Sequence, residues 1–500
     1  MRMKIMKTAV ERIVFGGNLV WALLLTSLCA TRVHAADRPN FVFILADDLG
    51  WKDVGFNGST FYETPNLDRL AREGMRFTDA YAACSVCSPT RASIMTGKYP
   101  ARLHLTDWLP GRPDKPDQIL KHPKIITELP AAEITLAKAL QEGGYKTAFI
   151  GKWHLGGLGH WPEQAGFDIN IGGCGMGHPS SYFSPYKNPT LKDGPVGEYL
   201  ADRLTDEAVK FIENTKGTPF LLYLSHYSVH TPLQAKKGLI EKYQKKVMQL
   251  PPTKGPEFVT EGNTNARQVQ NQPIYAAMMQ SLDESVGRVL DKLKELGLDK
   301  NTVIIFTSDN GGLSTAEGAP TSNMPLRAGK GWPYEGGVRE PLVVKWPGVT
   351  KAASVSDHQV MSTDYYPTLL EIAGLPARPE QHLDGISFTP ALRGKEMGER
   401  PLFWHYPHYS NQGGAPSSSI RKGDWKLIEW YEENRIELFN LRLDVGEKND
   451  LASTSALKRE ELKSELQAWR ASVKADMPLP NPNFDPKADG PFKRKILTGK

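Results

Sequence analysis

The sequence predicts an α/β fold in which a large, mostly parallel central sheet carries helices on both faces. The first observation is four apolar runs of strand length, at residues 41–45, 147–150, 220–224 and 303–306. Continuous apolar runs are typical of strands buried on both faces. The second is that helix-like segments separate the runs; between 278 and 293, for example, six apolar residues recur at helical spacing before Gly297.

All four runs end in polar residues. Asp47 and Asp48 follow the first run, Lys152 and His154 the second, His226 and His230 the third, and Asp309 and Asn310 the fourth. A single ending of this kind is more often a turn or a helix cap. In open parallel sheets, however, ligands bind outside the carboxyl ends of the strands. We therefore expect the four clusters to meet in one crevice.

The first 35 residues have the pattern of a signal peptide. Basic residues precede an apolar run at 13–30, and Val33-His34-Ala35 offers a small-residue cleavage site. The run is near the lower length limit for crossing a bilayer, so an uncleaved anchor is the alternative. Cleavage is favoured, and we expect export to the periplasm or the outside without a stable membrane anchor.

Neither the net charge nor the cysteine content identifies a binding partner. Without residues 1–35 the chain loses five basic residues and one acidic residue, and the formal net charge falls from +5 to +1. The balance of charge therefore gives no reason to expect a nucleic-acid partner. Cys84, Cys87 and Cys174 are the cysteines that remain, too few for a disulfide scaffold.

The most specific string in the chain is Cys87-Ser88-Pro89-Thr90-Arg91, which continues to Thr96-Gly97. It resembles the signature of type I sulfatases, Cys-x-Pro-x-Arg followed by Thr-Gly. Later strings look like further sulfatase motifs and stand in family order: Gly-Lys-Trp-His-Leu-Gly at 151–156, His-Thr-Pro at 230–232, Ser-Asp-Asn-Gly-Gly at 308–312, Gly-Lys-Gly at 329–331 and Glu-Gly-Gly at 335–337. The resemblance extends from about residue 40 into the C-terminal region.

This resemblance implies the alkaline-phosphatase-like fold and hydrolysis of sulfate esters. In the family the cysteine, here Cys87, is oxidised to formylglycine, so a formylglycine-generating enzyme is the implied maturation partner. The hydrated aldehyde has two hydroxyls on one carbon. One attacks sulfur and expels the alcohol, and deprotonation of the other releases sulfate and restores the aldehyde. A serine could not perform the second step.

The resemblance also implies a metal site. Its ligands would be Asp47, Asp48, Asp309 and Asn310. An all-oxygen set suits a hard cation, one Ca²⁺ in preference to Mg²⁺, better than Zn²⁺. Such a cation would polarise a sulfate oxygen and hold the nucleophile.

The remaining motif residues receive catalytic roles from the same resemblance. Arg91, Lys152 and Lys330 would stabilise the charge of the transferring sulfuryl group. His154 would take the proton that drives sulfate release, and His230 would protonate the leaving alcohol. Lys152, His230 and Lys330 would also contact the substrate.

Two aromatic-rich segments are candidates for contact with the alcohol part of the substrate. The Gly-rich stretch 171–178 runs into Tyr182 and is predicted as a loop, whose aromatic rings either bind a sugar or pack the loop. By family resemblance, Ser180 or Ser181 would touch the sulfate. A substrate contact by His405 and His408, in segment 404–409, is a second hypothesis. Together with export, the aromatic-rich segments favour a sulfated saccharide among sulfated small molecules.

The sequence pattern changes near residues 392–400. Short strands are predicted at 419–428 and 436–441, followed by an amphipathic helix marked by Leu457, Leu462, Leu466 and Trp469. We divide the chain into a signal peptide (1–35), a catalytic domain (37–395), a C-terminal subdomain of antiparallel sheet and helix (396–480) and a tail (481–500). This subdomain is similar to the small C-terminal unit of sulfatases.

Three other functions fit parts of the sequence. Cys84-x-x-Cys87 is a weak redox signal of the thioredoxin type, but it leaves the strand-end clusters without a role. A phosphomonoesterase or phosphodiesterase on the same fold would use Ser or Thr as the nucleophile and usually two zinc ions. A non-catalytic binder of sulfated glycans is the alternative if Cys87 is not converted to formylglycine.

Overall fold

The computed structural model of the protein describes residues 38–215 and 217–490. The predicted signal peptide and residues 491–500 of the predicted tail lie outside the described residues. Within the described part, no helix combines the length and the apolar character needed to cross a membrane.

Seventeen strands are found in the described residues. They are β1 (Asn40–Ala46), β2 (Met75–Tyr81), β3 (Leu120–Lys121), β4 (Lys146–Gly151), β5 (Ile169–Ile171), β6 (Phe220–Ser225), β7 (Phe258–Glu261), β8 (Thr264–Arg267), β9 (Thr302–Ser308), β10 (Arg339–Lys345), β11 (Ser354–Ser356), β12 (Val360–Met361), β13 (Leu402–Tyr406), β14 (Ser417–Lys422), β15 (Trp425–Trp430), β16 (Arg435–Asn440) and β17 (Leu479–Pro480).

The same residues contain eleven α-helices. They are α1 (Pro65–Glu73), α2 (Cys87–Thr96), α3 (Pro100–Leu103), α4 (Leu136–Glu142), α5 (Leu200–Asn214), α6 (Lys237–Met248), α7 (Pro273–Glu295), α8 (Glu335–Val338), α9 (Tyr365–Ile372), α10 (Thr389–Leu392) and α11 (Ala456–Ser472). The longest, α7, begins with a cap: the Gln272 side chain accepts hydrogen bonds from the amides of Ile274 and Tyr275.

The four predicted strands are β1, β4, β6 and β9, and they lie side by side. The large sheet has the order β11-β2-β10-β9-β1-β6-β4-β5, with β12 paired to β2. Strands β9, β1, β6, β4 and β5 are parallel, whereas β10 runs antiparallel to both β9 and β2. The register sets Ile44 of β1 beside Leu224 of β6 and Phe306 of β9. The carboxyl ends of the parallel strands therefore share one edge.

Helices cover the large sheet on both faces because successive side chains of a strand point to opposite sides. Val42 and Ile44 of β1 belong to the core formed with α1, α5, α6 and α7. Phe41, Phe43 and Leu45 belong to the opposite core, formed with α2, α4, α9 and α10. Both faces of β1 are thus apolar, which explains the unbroken apolar run in the sequence. The predicted fold class is confirmed.

A second, antiparallel sheet of β13-β14-β15-β16 forms the C-terminal unit with α11. Leu427 faces the helix residues Leu462 and Leu466, while Trp430 on the other face packs against Trp332 of the catalytic unit. Two details differ from the sequence prediction. Residues 404–406 lie in strand β13, and Leu457 is exposed on α11.

Candidate active site

The shared edge of the large sheet gathers the predicted polar clusters. Asp47 and Asp48 follow β1, Lys152 and His154 follow β4, His230 follows β6, and Asp309 and Asn310 follow β9. Cys87 is the first residue of α2, and the loop before α8 supplies Lys330. All of these side chains are buried. His226 does not join them, because its Nε2 lies 3.0 Å from the Ser285 hydroxyl on α7.

Three buried carboxylates are each paired with a different cationic side chain. The Lys152 ammonium donates to Asp47 Oδ2 at 2.7 Å, and the Lys330 ammonium donates to Asp48 Oδ2 at 2.8 Å. The Arg91 guanidinium donates through Nε to Asp309 Oδ2 at 2.8 Å. Charges this deeply buried need such partners, since desolvation costs several kcal/mol for each ion.

Arg91 is held in place by backbone and side-chain acceptors that the sequence did not reveal. Its Nη1 donates to the Lys152 carbonyl at 2.7 Å and to the Ser225 hydroxyl oxygen at 2.8 Å. Ser225 ends β6 and also donates its own hydroxyl proton to the Lys152 carbonyl. Arg91 thus ties α2 to the ends of β4, β6 and β9.

The carboxylate cluster has the donor set and the free oxygens that a hard cation requires. Asp47 Oδ1 and Asn310 Oδ1 are buried and have no hydrogen-bond partner in the described part of the chain. Ligand atoms of Asp47, Asp48 and His230 lie within 4.8 Å of one another, so this group could hold a metal ion. Burial raises the pKa of Asp47 to about 8 despite Lys152. Burial acts on Asp48 in the same sense, but the charge of Lys330 holds its pKa below the usual range.

His154 presents an unprotonated nitrogen to Cys87. Its Nε2–H donates to the Leu109 carbonyl at 2.6 Å, so Nδ1 is the acceptor, and Nδ1 lies 3.3 Å from Cys87 Sγ. Burial, reinforced by Lys152, lowers the pKa of His154 well below its usual value. The ring is therefore neutral at pH 7 and can act as a base.

His230 and Lys330 form a proton-sharing pair on the other side of the site. His230 Nδ1–H donates to the Thr231 carbonyl at 2.7 Å, so Nε2 accepts from the Lys330 ammonium at 3.0 Å. Burial, followed by the charge of Lys330, lowers the pKa of His230 well below its usual value. The mobile proton of this pair therefore resides on Lys330.

A cavity of about 450 Å³ opens onto this cluster. Cys87, His154, His230 and Lys330 line its inner part. The rest of the lining, called the outer wall below, includes residues for which sequence reasoning gave no site role: Trp108, Leu109, His178, Glu317, Asn411 and Gln412. Of these, only His178 lay in a segment that the sequence had marked, the Gly-rich loop. Ionisable side chains that converge at one end of a cavity make it a candidate for the active site.

Comparison with known proteins identifies the family. The sulfatase family model matches residues 39–375. This chain belongs to the sulfatase family. A second model, described as N-sulphoglucosamine sulphohydrolase, C-terminal, matches residues 328–472 of the sulfatase.

Similar proteins cover most of this sulfatase. A sulfatase of Formosa agariphila is 32% identical over 92% of this chain and 93% of its own length. The N-acetylgalactosamine-6-sulfatase of Mus musculus is 31% identical over 88% of this chain and 81% of its own. The crystal structure of Ps i-CgsB in complex with k-i-k-neocarrahexaose is 31% identical, with a TM-score of 0.71, and covers 86% of this chain and 92% of that chain. The sulfatase is a sulfuric ester hydrolase on the alkaline-phosphatase-like fold.

Two residues predicted to contact substrate lie elsewhere in the sulfatase. Ser180 is exposed and does not line the cavity; Gly175, Gly177 and His178 of the same loop do. His405 is buried in the C-terminal sheet, where its ring nitrogens lie 2.7 Å from the Ser418 hydroxyl and 3.0 Å from the Asp476 carbonyl. His405 is not among the described residues that line this cavity, and its contact with the substrate stays a prediction.

His408 and Cys84 are likewise buried outside the cavity lining. His408 Nε2 lies 2.8 Å from the Thr106 hydroxyl. Cys84 and Cys87 are both free thiols, and the family assignment leaves the redox alternative without support.

Proposed function

We propose that this sulfatase hydrolyses sulfate monoesters of a sulfated carbohydrate and releases inorganic sulfate, using a formylglycine made from Cys87 and one divalent cation, Ca²⁺. One observation carries the proposal: Cys87 opens into the cavity with an unprotonated His154 nitrogen 3.3 Å from its Sγ. A nucleophile beside an oriented base is the arrangement that covalent catalysis requires.

The geometry supports His154 as the base of the sulfate-release step. The hydrated aldehyde at position 87 would supply two hydroxyls, one to attack sulfur and one whose deprotonation releases sulfate. His154 Nδ1 already faces this side chain. The Leu109 carbonyl fixes the tautomer by accepting the proton of Nε2. Leu109 is therefore a positioning residue for the base.

The geometry supports the Lys330–His230 pair as the proton source for the leaving alcohol. Lys330 donates to both Asp48 and His230, so its ammonium is fixed at the inner end of the cavity. Both residues line the cavity, so an alcohol oxygen bound beside His230 Nε2 would receive the proton that Lys330 carries. Lys152 and Lys330 also place positive charge where sulfuryl oxygens gain negative charge, which is the largest single source of rate enhancement in many enzymes.

Asp47, Asp48, Asp309 and Asn310 would hold the cation. Carboxylate and amide oxygens are the ligands of Ca²⁺, and two of these oxygens lack hydrogen-bond partners among the described residues. When bound, the cation would withdraw charge from a sulfate oxygen and favour the ionised nucleophile. Arg91 keeps the Asp309 side chain in position for this role.

A saccharide is the substrate class that the outer wall and the relatives support. Trp108 and His178 contribute aromatic rings to the cavity lining, and Glu317, Asn411 and Gln412 contribute polar groups suited to hydroxyls. The names of the relatives include N-acetylgalactosamine-6-sulfatase. Export to the periplasm or the outside, with maturation by a formylglycine-generating enzyme, completes the proposal.

Sulfate release tests the proposal. The protein is co-expressed with a formylglycine-generating enzyme, formylglycine at position 87 is verified by mass spectrometry, and release is measured from a panel of sulfated saccharides and one aryl sulfate. Cys87→Ala should abolish release, whereas the matched control Cys84→Ala should retain it. If verified formylglycine gives no release from any panel member, the proposed reaction is wrong.

A further inference from the structure

Glu317 is the acidic residue of the cavity wall. Of the described residues that line the cavity, Glu317 alone carries a carboxylate, and it is exposed to solvent. Its Oε2 accepts a hydrogen bond from the Thr231 hydroxyl at 3.2 Å, next to His230. It therefore stands beside the group proposed to protonate the leaving alcohol.

The C-terminal unit fixes the direction of this carboxylate. Gln412, in the loop between β13 and β14, donates through Nε2 to Glu317 Oε1 at 2.6 Å. Gln412 is buried, its backbone carbonyl accepts from Trp332 Nε1 at 2.8 Å, and its Oε1 accepts from the Ser410 hydroxyl at 2.6 Å. Because Gln412 is held on several sides, little conformational entropy is lost when Glu317 binds a ligand.

Glu317 retains capacity to accept hydrogen bonds from a substrate. A carboxylate has about four lone-pair sites. Thr231 and Gln412 each use one of them. The remaining lone pairs can accept hydrogen bonds from hydroxyl groups of a substrate. A sulfate or carboxylate group in the same place would be repelled, because it brings a second negative charge.

Lys330 is the charged residue at the inner end of the cavity. Its ammonium lies between Asp48 Oδ2 and His230 Nε2, whereas Glu317 stands on the cavity wall. The cavity is thus cationic at its inner end, where the sulfate would lie, and anionic at its wall. A substrate with one sulfate and neutral neighbouring groups matches this division.

We propose that Glu317, held by Gln412, is a specificity-determining residue that binds a free hydroxyl beside the sulfated position and excludes sugars with a second anionic group there. This inference rests on the proposed function and narrows its substrate class to saccharide units with a single sulfate. Trp108, whose ring carries the Arg112 guanidinium at 5.5 Å, would support the sugar ring.

The test compares three substrates: N-acetylgalactosamine 6-sulfate, N-acetylgalactosamine 4,6-disulfate and 4-methylumbelliferyl sulfate. Wild-type enzyme should prefer the monosulfate. In Glu317→Gln, kcat/KM for the disulfate should rise about tenfold, the equivalent of about 1.4 kcal/mol of removed repulsion. For the monosulfate it should fall about threefold to tenfold, mainly through KM, because a charged acceptor is lost. The aryl sulfate, which has no neighbouring hydroxyl, should change less than about twofold.

Two further variants separate charge from hydrogen bonding. Glu317→Asp keeps the charge, so it should still reject the disulfate while losing affinity for the monosulfate. Glu380→Gln removes an exposed carboxylate that does not line the cavity, and it should leave all three rates unchanged.

The outcomes distinguish this inference from the proposed function. Release from the monosulfate with an unchanged monosulfate-to-disulfate ratio in Glu317→Gln would overturn the role of Glu317 and leave the sulfatase reaction standing. A wild-type preference for the disulfate would do the same. No release from any of the three substrates, with formylglycine verified, would count against the proposed function itself.

Discussion

A buried ion triad joins the C-terminal sheet to the catalytic unit and gives a quantitative test of the packing argument. The Lys426 ammonium on β15 lies 2.9 Å from Glu335 Oε1 and 2.9 Å from Glu447 Oε1, and all three side chains are buried. Glu335 is also paired with Arg339 at 2.7 Å. Glu447 has no second cation among the ion pairs of the described residues. Lys426→Met therefore leaves the Glu447 carboxylate without a counter-charge.

Removing one partner of a buried pair costs about 3–5 kcal/mol. Unfolding entropy is about 2.1 cal/mol/K per residue, or about 1 kcal/mol/K for the 500-residue chain if it unfolds as one unit. The melting midpoint of Lys426→Met should therefore fall by about 3–5 °C at pH 8. Adding Glu447→Gln removes the stranded charge and should restore part of the loss.

The effect of Lys426→Met should depend on pH. Burial raises the pKa of Glu447 to about 7, and Lys426 opposes that rise. Without Lys426 the folded-state pKa rises further, while the unfolded carboxyl still titrates at about 4.3. Stability associated with a raised carboxyl pKa is present at low pH and is lost as the pH rises. The variant should therefore lose more stability at pH 8 than at pH 5.

The assay is thermal unfolding followed by circular dichroism at both pH values. Lys458→Met is the matched control, because Lys458 pairs with Glu461 on the outer face of α11 and its replacement should leave the midpoint unchanged. If Lys426→Met melts within about 1 °C of wild type at pH 8, the assumed cost of an unpaired buried charge is wrong for this interface. Loosened docking should also raise KM for saccharides, because Gln412 belongs to the same unit.

Three further predictions concern the site and the buried histidines. His154→Gln should lower kcat about 100-fold to 10,000-fold with little change in KM, measured by steady-state sulfate release. In the wild-type plot of kcat against pH, the fall on the acid side should lie below pH 6.5. A chelator should lower the wild-type melting midpoint and added Ca²⁺ should restore it, whereas Asp309→Asn should respond weakly to both. Burial lowers the pKa of His405 to about 4. Unfolding therefore takes up a proton between pH 6.5 and pH 4, and the free energy of unfolding falls as the pH drops through that window. His405→Gln should make the free energy of unfolding, measured by urea titration, depend less on pH.

Much of the fold and the inner site follows from local sequence patterns. The apolar run 41–45 reads as a buried strand because both faces of β1 meet helices. Asp47 and Asp309 meet because parallel strands β1 and β9 end at the same edge, a consequence of topology alone. The segment at Cys87 was recognised from its motif, and its residues begin α2 next to that edge.

The outer wall could not be predicted in the same way. Trp108, His178, Glu317 and Gln412 come from four loops far apart in the chain, and no periodicity records that they meet. His405 shows the converse. Its imidazole made it a candidate for substrate contact in the sequence, but in the structure it pairs with Ser418 across β13 and β14 and is buried. The Leu109 carbonyl likewise decides which ring nitrogen of His154 carries the proton, and sequence patterns do not reveal a contact with a backbone group.

The sequence by itself determined the fold class, the strand-end clusters and the membership suggested by the Cys87 motif, because apolar periodicity and motif spacing are local properties of the chain. Only the tertiary structure decided which nitrogen of His154 faces Cys87, where Glu317 points and that the C-terminal unit reaches the cavity. These features depend on packing between distant segments, and the free energy of that packing is distributed over contacts that no short stretch of sequence contains.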